Sequence, residues 1–208
     1  TYGDLAFRGG QSLLRAALGL SDKDKEKKKT LMQDARVALE DSRPKYAKAV
    51  ELYAASVTEL VKQRKADQAV AAEKKQKVKK ARTRAQRLAD EALELAMEDW
   101  YDARFKLASV DYNVARTFAD PKDPARVKAL LAAAKAYDDI WQANRAFRIG
   151  LYAHMMNGRV VDEQGNLDLA LELYEEVLAN APSDKNDDRP TPVFESLFAE
   201  VEYYKLLI

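Results

Sequence analysis

Residues 151 to 184 read LYAHMMNGRVVDEQGNLDLALELYEEVLANAPSD, and this stretch decides the fold. Apolar residues recur three and four positions apart on both sides of a glycine-containing turn, which predicts two helices packed as a pair. Five positions carry residue types that such a pair needs for steric reasons: Gly158, Gly165, Ala170, Tyr174 and Pro182. A glycine within a helix permits close helix crossing, a glycine in a turn accepts unusual backbone angles, and a proline ends the unit.

The spacing of these five residues resembles that of the tetratricopeptide repeat, a helix-turn-helix unit of about 34 residues. Three positions depart from the pattern of that family: His154 stands where the family usually has Trp, Asn157 where it has Leu, and Val161 where it has Tyr. The resemblance implies that the first helix of the unit lines an inner groove that binds protein or peptide. The groove residues that it implies are Tyr152, Met155, Arg159, Asp162 and Glu163.

A second pattern extends the repeat along the chain. An alanine is followed by a tyrosine four residues on, and by a small or β-branched residue three further, in Ala49-Tyr53-Ser56, Ala133-Tyr137-Ile140 and Ala170-Tyr174-Val177. Because positions i, i+4 and i+7 share one helix face, each copy predicts a packing seam. With only 7 Gly and 6 Pro in 208 residues, the sequence predicts an all-α fold. We expect an α-α superhelix, an irregular tetratricopeptide-like solenoid, with a protruding long antiparallel helical hairpin.

We expect a single α-helical repeat domain over residues 1–208. It divides into an N-terminal helix pair (1–43), a long-helix hairpin (44–120), tetratricopeptide-like units (124–184) and the start of a further repeat helix (191–208). Pro44 either starts a new helix or kinks a continuing one. Residues 45–120 contain no Gly or Pro, and one helix of that length would be roughly 110 Å long. We therefore predict a reversal within residues 64–76, and a single long, bent helix is the alternative.

Composition narrows the class of protein. Hydrophobic residues make up 47% of the chain and charged residues 33%, which excludes wholesale disorder. The net charge of +1 divides into +7 over residues 1–119 and −6 over residues 120–208, an asymmetry that can orient a partner or a neighbouring copy.

No apolar run predicts a transmembrane segment. The chain has no cysteine, which leaves its compartment open. Because it starts at Thr1 and stops at Ile208 inside an apolar helical pattern, we expect part of a longer protein.

A basic segment dominates the predicted hairpin: residues 62–87 hold 11 Lys or Arg against 2 Asp or Glu. Its basic patch consists of Lys74, Lys75, Lys77, Lys79, Lys80, Arg82, Arg84 and Arg87. On a helix these charges spread around the whole circumference, and no aromatic residue is interleaved for base stacking, which favours a solvated, projecting hairpin. The alternative is that the patch binds a polyanion, either nucleic acid or an anionic surface.

Residues that could carry chemistry are few. His154 is the only histidine, which removes multi-histidine metal sites, and we expect it to pack between helices or to lie at a solvent-facing tip. We predict no catalytic residue, no metal site, no cofactor and no enzymatic activity. The aromatic residues that we predict for the core are Trp100, Tyr101, Phe105, Trp141 and Phe147. Trp141 would become an anchor for a partner if it proved exposed on a concave face.

The sequence thus predicts a non-enzymatic scaffold module for protein-protein interaction, which presents a concave helical groove to a protein or peptide. Two alternatives stay open. One is polyanion binding through the basic hairpin. The other is structural self-association, either through the basic and acidic halves of the chain or through its last helix.

Overall fold

The computed structural model of the protein describes residues 2–73, 83–145, 147–180 and 192–208. Within these residues the chain forms seven α-helices and a short 3-10 turn at Asp22–Asp24, and it contains no strand. The helices are α1 (Tyr2–Leu18), α2 (Lys25–Glu73), α3 (Arg84–Ala115), α4 (Pro124–Ala143), α5 (Arg148–Glu163), α6 (Leu167–Leu178) and α7 (Pro192–Lys205). The predicted all-α class is confirmed. None of these seven helices is both long and apolar enough to cross a membrane.

The helices pack in chain order, each against the next. The odd-numbered helices also touch in sequence, because α3 contacts both α1 and α5, and α5 contacts α7. Three clusters of buried side chains follow the same order. The first joins α2 and α3, the second joins α3, α4 and α5, and the third joins α4, α5, α6 and α7. The core is therefore a row of local interfaces, in which each helix depends on its neighbours.

Short sequence signals fix where two of the helices begin. The Thr83 hydroxyl accepts a hydrogen bond from the Gln86 backbone N–H (3.2 Å), and the Gln86 side chain accepts one from the Thr83 N–H (2.9 Å). This reciprocal capping box satisfies two backbone donors at the start of α3. At α4, the Asp123 carboxylate accepts from the Ala125 N–H (2.8 Å), and Pro124 occupies the first turn, where no N–H is needed.

Pro44 lies inside α2, which continues through it for 49 residues in all. A helical proline leaves the carbonyl four residues earlier without its donor. Here both Pro44 and Glu40 are exposed, so water can satisfy that carbonyl. Of the two alternatives for this proline, the continuing helix is therefore the one found. The predicted division between residues 43 and 44 is wrong as a helix boundary, because it falls within one element.

The two helices of the predicted long hairpin are present within the described residues as α2 and α3. Helices α2 and α3 pack against each other, and Arg64 of α2 forms a salt bridge to Asp90 of α3 (3.1 Å). The alternative of a single long helix is thereby excluded. Residues 64–73 of the predicted reversal window are helical, because α2 extends to Glu73, and the remaining residues of the window, 74–76, lie outside the described residues.

Two of the three alanine-tyrosine seams are core. In α4 and α6 every residue of the pattern is fully buried: Ala133, Tyr137, Ile140, Ala170, Tyr174 and Val177. Gly158 of α5 fits against the second seam so closely that a Cβ there would lie 2.5 Å from the Tyr174 ring. The turn between α5 and α6 needs the other glycine, since Gly165 has φ +82°. These two glycines have the steric roles that the sequence predicted.

The seam predicted at Ala49-Tyr53-Ser56 is wrong, because Tyr53 and Ser56 are exposed and Ala49 is only half-buried. The described part of α1 lies beside an earlier part of α2. The Tyr46 hydroxyl donates to Asp4 (2.8 Å), and the Tyr46 ring meets Phe7 edge-on, so the start of α1 lies beside residue 46. Within the described structure, Tyr53 and Ser56 on this face of α2 are exposed to solvent.

The predicted core aromatic residues divide into three groups. Tyr101 and Trp141 are buried, and Trp100 and Phe105 are half-buried against the core. Phe147 contradicts the prediction, because it is 66% exposed. It stands in extended conformation just before α5, where the turn from α4 directs it outward.

Candidate binding surface

The groove residues implied by the repeat resemblance do not all face solvent. Met155 is only 2% exposed and belongs to the core cluster of α5, α6 and α7, so its assignment to a groove is wrong. Tyr152 is half-buried and packs against the same cluster. Arg159, Asp162 and Glu163 are half-buried near the end of α5. These last three are the part of the implied set that a ligand can reach.

Arg159 lies between the rings of two tyrosines on different helices. Its guanidinium carbon is 4.3 Å from the centre of the Tyr204 ring in α7 and 5.4 Å from that of Tyr112 in α3. Such cation-π contacts hold the group in place without using its N–H donors. No hydrogen bond or ion pair joins this guanidinium to any residue in the described ranges. Arg159 is therefore a positioned cation where α3, α5 and α7 meet, with N–H donors that no described residue uses.

The surrounding tyrosines remain neutral phenols at ordinary pH. Burial raises the pKa of Tyr204 to about 12, and it also raises the pKa of Tyr112 above its ordinary value. The buried Tyr174 hydroxyl has no hydrogen-bond partner among the described residues, and it interacts electrostatically with Arg159. The site thus combines one cation with uncharged aromatic walls.

Glu163 joins two further arginines at the end of α5. The Arg126 Nη2 donates to Glu163 Oε2 (2.6 Å), and the Arg116 Nε donates to Glu163 Oε1 (3.1 Å). Arg126 is buried and also donates to the backbone carbonyls of Ala115 (3.3 Å) and Glu163 (3.2 Å). One carboxylate therefore holds together the ends of α3 and α5 and the start of α4. We call Arg116, Arg126 and Glu163 the arginine-glutamate cluster.

A cleft of about 870 Å³ opens beside this cluster, between the start of α2 and the end of α3. Its charged lining consists of Lys25, Lys28, Lys29, Arg36, Arg116, Arg126 and Glu163, and its apolar lining includes Leu18, Met32, Val37 and Phe118. Six cations thus face a single carboxylate. We call this feature the basic cleft.

The wall of the basic cleft is preorganised by Arg36. Its Nε donates to the Thr117 hydroxyl (2.8 Å), its Nη2 donates to the Thr117 carbonyl (3.0 Å), and its guanidinium stacks on Phe118 (3.6 Å). Arg36 therefore contributes charge from a fixed position, whereas Lys25 and Lys29 are exposed and can move to meet a ligand.

The basic patch predicted from the sequence falls largely outside the described residues, where Lys74, Lys75, Lys77, Lys79, Lys80 and Arg82 lie. Arg84 and Arg87 are described and are exposed in the first turn of α3. The described structure thus places a second concentration of positive charge, the basic cleft, at the opposite end of α2. No local sequence pattern marks that cleft, because its residues come from α1 through α5.

His154 is buried, as one of the two sequence predictions had it. Its ring stacks on Trp141 (centroids 4.3 Å apart), and its Nε2 lies 2.8 Å from Glu176 Oε2. Trp141 itself is buried, so it is not the exposed anchor that the sequence left possible. Across the described residues, no group of three or more histidine, cysteine or carboxylate side chains is arranged to hold a metal ion.

We predict a pH dependence of stability from His154. Burial lowers the pKa of its imidazole below the ordinary value of 6.5, and Glu176 only partly opposes this shift. The unfolded chain therefore binds the proton first, so His154 contributes stability in full above pH 6.5. That contribution is lost as the pH falls through the lower pKa of the folded state. Chemical unfolding should show that the free energy of unfolding falls more steeply with decreasing pH for the wild type than for His154→Phe, which keeps an aromatic ring but cannot titrate. Equal slopes would contradict the prediction.

Comparison with known proteins adds no assignment: no protein-family model, no curated protein and no solved structure matches this chain.

Proposed function

We propose that this chain is a non-enzymatic protein-interaction module that binds an acidic segment of a partner protein. The observation that carries the proposal is the pairing of the basic cleft with Arg159. The cleft offers six cations and one carboxylate around apolar side chains. Arg159 offers a positioned guanidinium with unused donors.

The chemistry of the lining favours a peptide with both carboxylates and apolar side chains. Arginine forks bind carboxylates in a bidentate manner, which supplies orientation as well as attraction. Met32, Val37 and Phe118 give an apolar ligand side chain a place to leave water. A nucleic acid strand would make less use of these apolar residues, which is why we favour protein.

The order of the helices supports a groove of the tetratricopeptide type. In that architecture alternate helices line the inner surface, and here α3, α5 and α7 contact one another in sequence and bring Tyr112, Arg159 and Tyr204 together. An acidic segment could then extend from the basic cleft, past the arginine-glutamate cluster, to Arg159. Tyr112 links the two regions, because the Arg116 guanidinium also lies over its ring (5.4 Å).

Binding can be tested with a fluorescent peptide of alternating glutamate and leucine, and with a counterpart that has lysine in place of glutamate. We expect the acidic peptide alone to bind, with affinity that falls as salt is added. Arg159→Ala and the double variant Lys28→Glu/Lys29→Glu should each weaken binding by about tenfold or more. Lys62→Glu is the matched control, since Lys62 is exposed on the same helix, outside the cleft.

Two results would overturn the proposal. In the first, the cleft variants bind the acidic peptide as tightly as Lys62→Glu does. In the second, the chain ignores the acidic peptide but binds duplex or single-stranded nucleic acid in a way that Lys74→Glu/Lys75→Glu abolishes. The latter outcome would instead establish the basic hairpin as the functional surface.

A further inference from the structure

The first half of α3 carries a row of exposed apolar residues on the side that does not face α2. Leu88 is 55% exposed and Leu95 is 63% exposed, and Ala85 and Ala92 are exposed in the same row. Their spacing of three, four and three residues is that of a coiled-coil seam. The buried Leu93 marks the face that packs within the chain. We call Ala85, Leu88, Ala92 and Leu95 the α3 seam.

Charge along the edge of the α3 seam changes sign. Arg84 stands at its start, Glu91 at its middle and Glu98 at its end, each seven residues from the next, so all three flank the seam on one side. All three are exposed. A helix that is basic at one end and acidic at the other complements an antiparallel copy of itself, and a parallel copy would set like charges together.

We propose that the α3 seam is the interface of an antiparallel dimer formed with a second copy of this chain. With the two-fold axis near residues 90 and 91, Ala85 lies opposite Leu95 of the second copy, and Leu88 lies opposite Ala92. Every small residue then meets a large one, which is the arrangement that fills a helix-helix interface without voids. The same register places Arg84 opposite Glu98 of the second copy, and symmetry repeats that ion pair at the other end. Glu91 meets its own copy near the axis, where exposure to water screens the repulsion between the two carboxylates.

A second copy fits this surface better than other occupants. The seam is too narrow and too mixed in charge for a membrane surface, which would require one apolar face with basic flanks. The hairpin also leaves room for the arrangement, since Asp90 pairs with Arg64 of α2, and the core cluster of α4 and α5 packs on α3 from Trp100 onward. The bodies of the two copies would lie at opposite ends of the paired hairpins. The dimer is independent of the acidic-peptide site, which lies elsewhere on α2 and α3.

The first test measures mass by sedimentation over a concentration series. We expect the wild type to dimerise and Leu88→Glu/Leu95→Glu to remain monomeric at every concentration, with unchanged helical circular dichroism. Leu131→Glu is the matched control, because Leu131 is similarly exposed (59%) but lies on α4. It should dimerise like the wild type. A wild type that is strictly monomeric, or a seam variant that dimerises normally, would overturn the proposal. Binding of the acidic peptide should be the same in monomer and dimer, so failure here leaves the proposed function untouched.

The second test fixes the direction of the helices. Arg84→Glu and Glu98→Arg should each weaken the dimer, and the double variant should restore it, because the pair is then reversed but still complementary.

The absence of natural cysteine allows single-cysteine crosslinking. Glu91→Cys should form a disulfide-linked dimer on oxidation, since residue 91 lies near the axis. Arg84→Cys should not, because in the antiparallel register its two copies are about 20 Å apart along the helix. Efficient crosslinking of Arg84→Cys would indicate a parallel dimer and would overturn the antiparallel assignment.

Discussion

Replacement of Tyr137 by alanine should destabilise the protein by about 3 to 5 kcal/mol, the range measured for removal of a large buried aromatic side chain. Tyr137 is fully buried in α4, its ring centre lies 5.3 Å from that of Phe105, and its hydroxyl is 2.9 Å from the Ser109 hydroxyl. Truncation leaves a cavity among α3, α4 and α5 that the surrounding helices cannot fill. Urea unfolding followed by circular dichroism would measure the loss.

Two companion variants separate the contributions at Tyr137. Tyr137→Phe keeps the ring and removes the hydroxyl, so it should cost only about 1 kcal/mol, the usual worth of one hydrogen bond. Ser109 retains its bond to the Phe105 carbonyl (2.9 Å), so no polar atom is stranded. Leu131→Ala, on the exposed face of the same helix, should be nearly neutral. If Tyr137→Phe were as damaging as Tyr137→Ala, the hydroxyl rather than packing would dominate.

Replacement of Glu163 by alanine should cost about 3 kcal/mol, because it leaves two arginines without their shared carboxylate. The Arg126 side chain is only 11% exposed, and the side chains of Arg116 and Glu163 are 24% and 25% exposed. Water can compensate part of the loss, which places the expected value at the low end for a broken buried pair. Thermal and urea unfolding would both report it.

The controls for Glu163 compare the loss of one partner of an ion pair with the loss of both partners. Glu172→Ala, an exposed glutamate of α6, should have little effect on stability. The double variant Glu163→Leu/Arg126→Met should be less destabilised than Glu163→Ala, because only Arg116, the more exposed of the two arginines, is then left without the carboxylate. Glu163→Gln should bind the acidic peptide more tightly than the wild type, since it removes the one carboxylate among the described residues that line the basic cleft. A stable Glu163→Ala protein would show that water, not Glu163, satisfies the arginines.

Local sequence patterns predicted the helices and their pairing because helix periodicity and turn geometry depend on residues only a few positions apart. The seams of α4 and α6 follow from the spacing of alanine and tyrosine, and Gly165 follows from the backbone angle of its turn. The same spacing failed at Tyr53. A pattern shows which face a helix could bury, but burial also requires another element to lie against that face.

The candidate binding surface could not be predicted from local patterns. Arg116, Arg126 and Glu163 come from three helices, and Arg159 acquires its setting from Tyr112 and Tyr204, which are 92 residues apart in the chain. The repeat resemblance implied Arg159 and Glu163 as groove residues because they lie on α5, the helix that carries its motif residue Gly158. It failed at Met155, since in this irregular array α6 and α7 cover that position.

The uninterrupted α2 fixes the distance between the structural features at its two ends. Its 49 residues correspond to about 70 Å of helix, with the basic cleft at one end and the hairpin that bears the α3 seam at the other. Two copies joined at their hairpins would hold two clefts apart at a distance set by helix geometry. A partner with two acidic segments would gain avidity only if its linker matched that span, and shorter linkers would bind a single cleft. The length of one helix would then select among partners that are identical in their acidic segments.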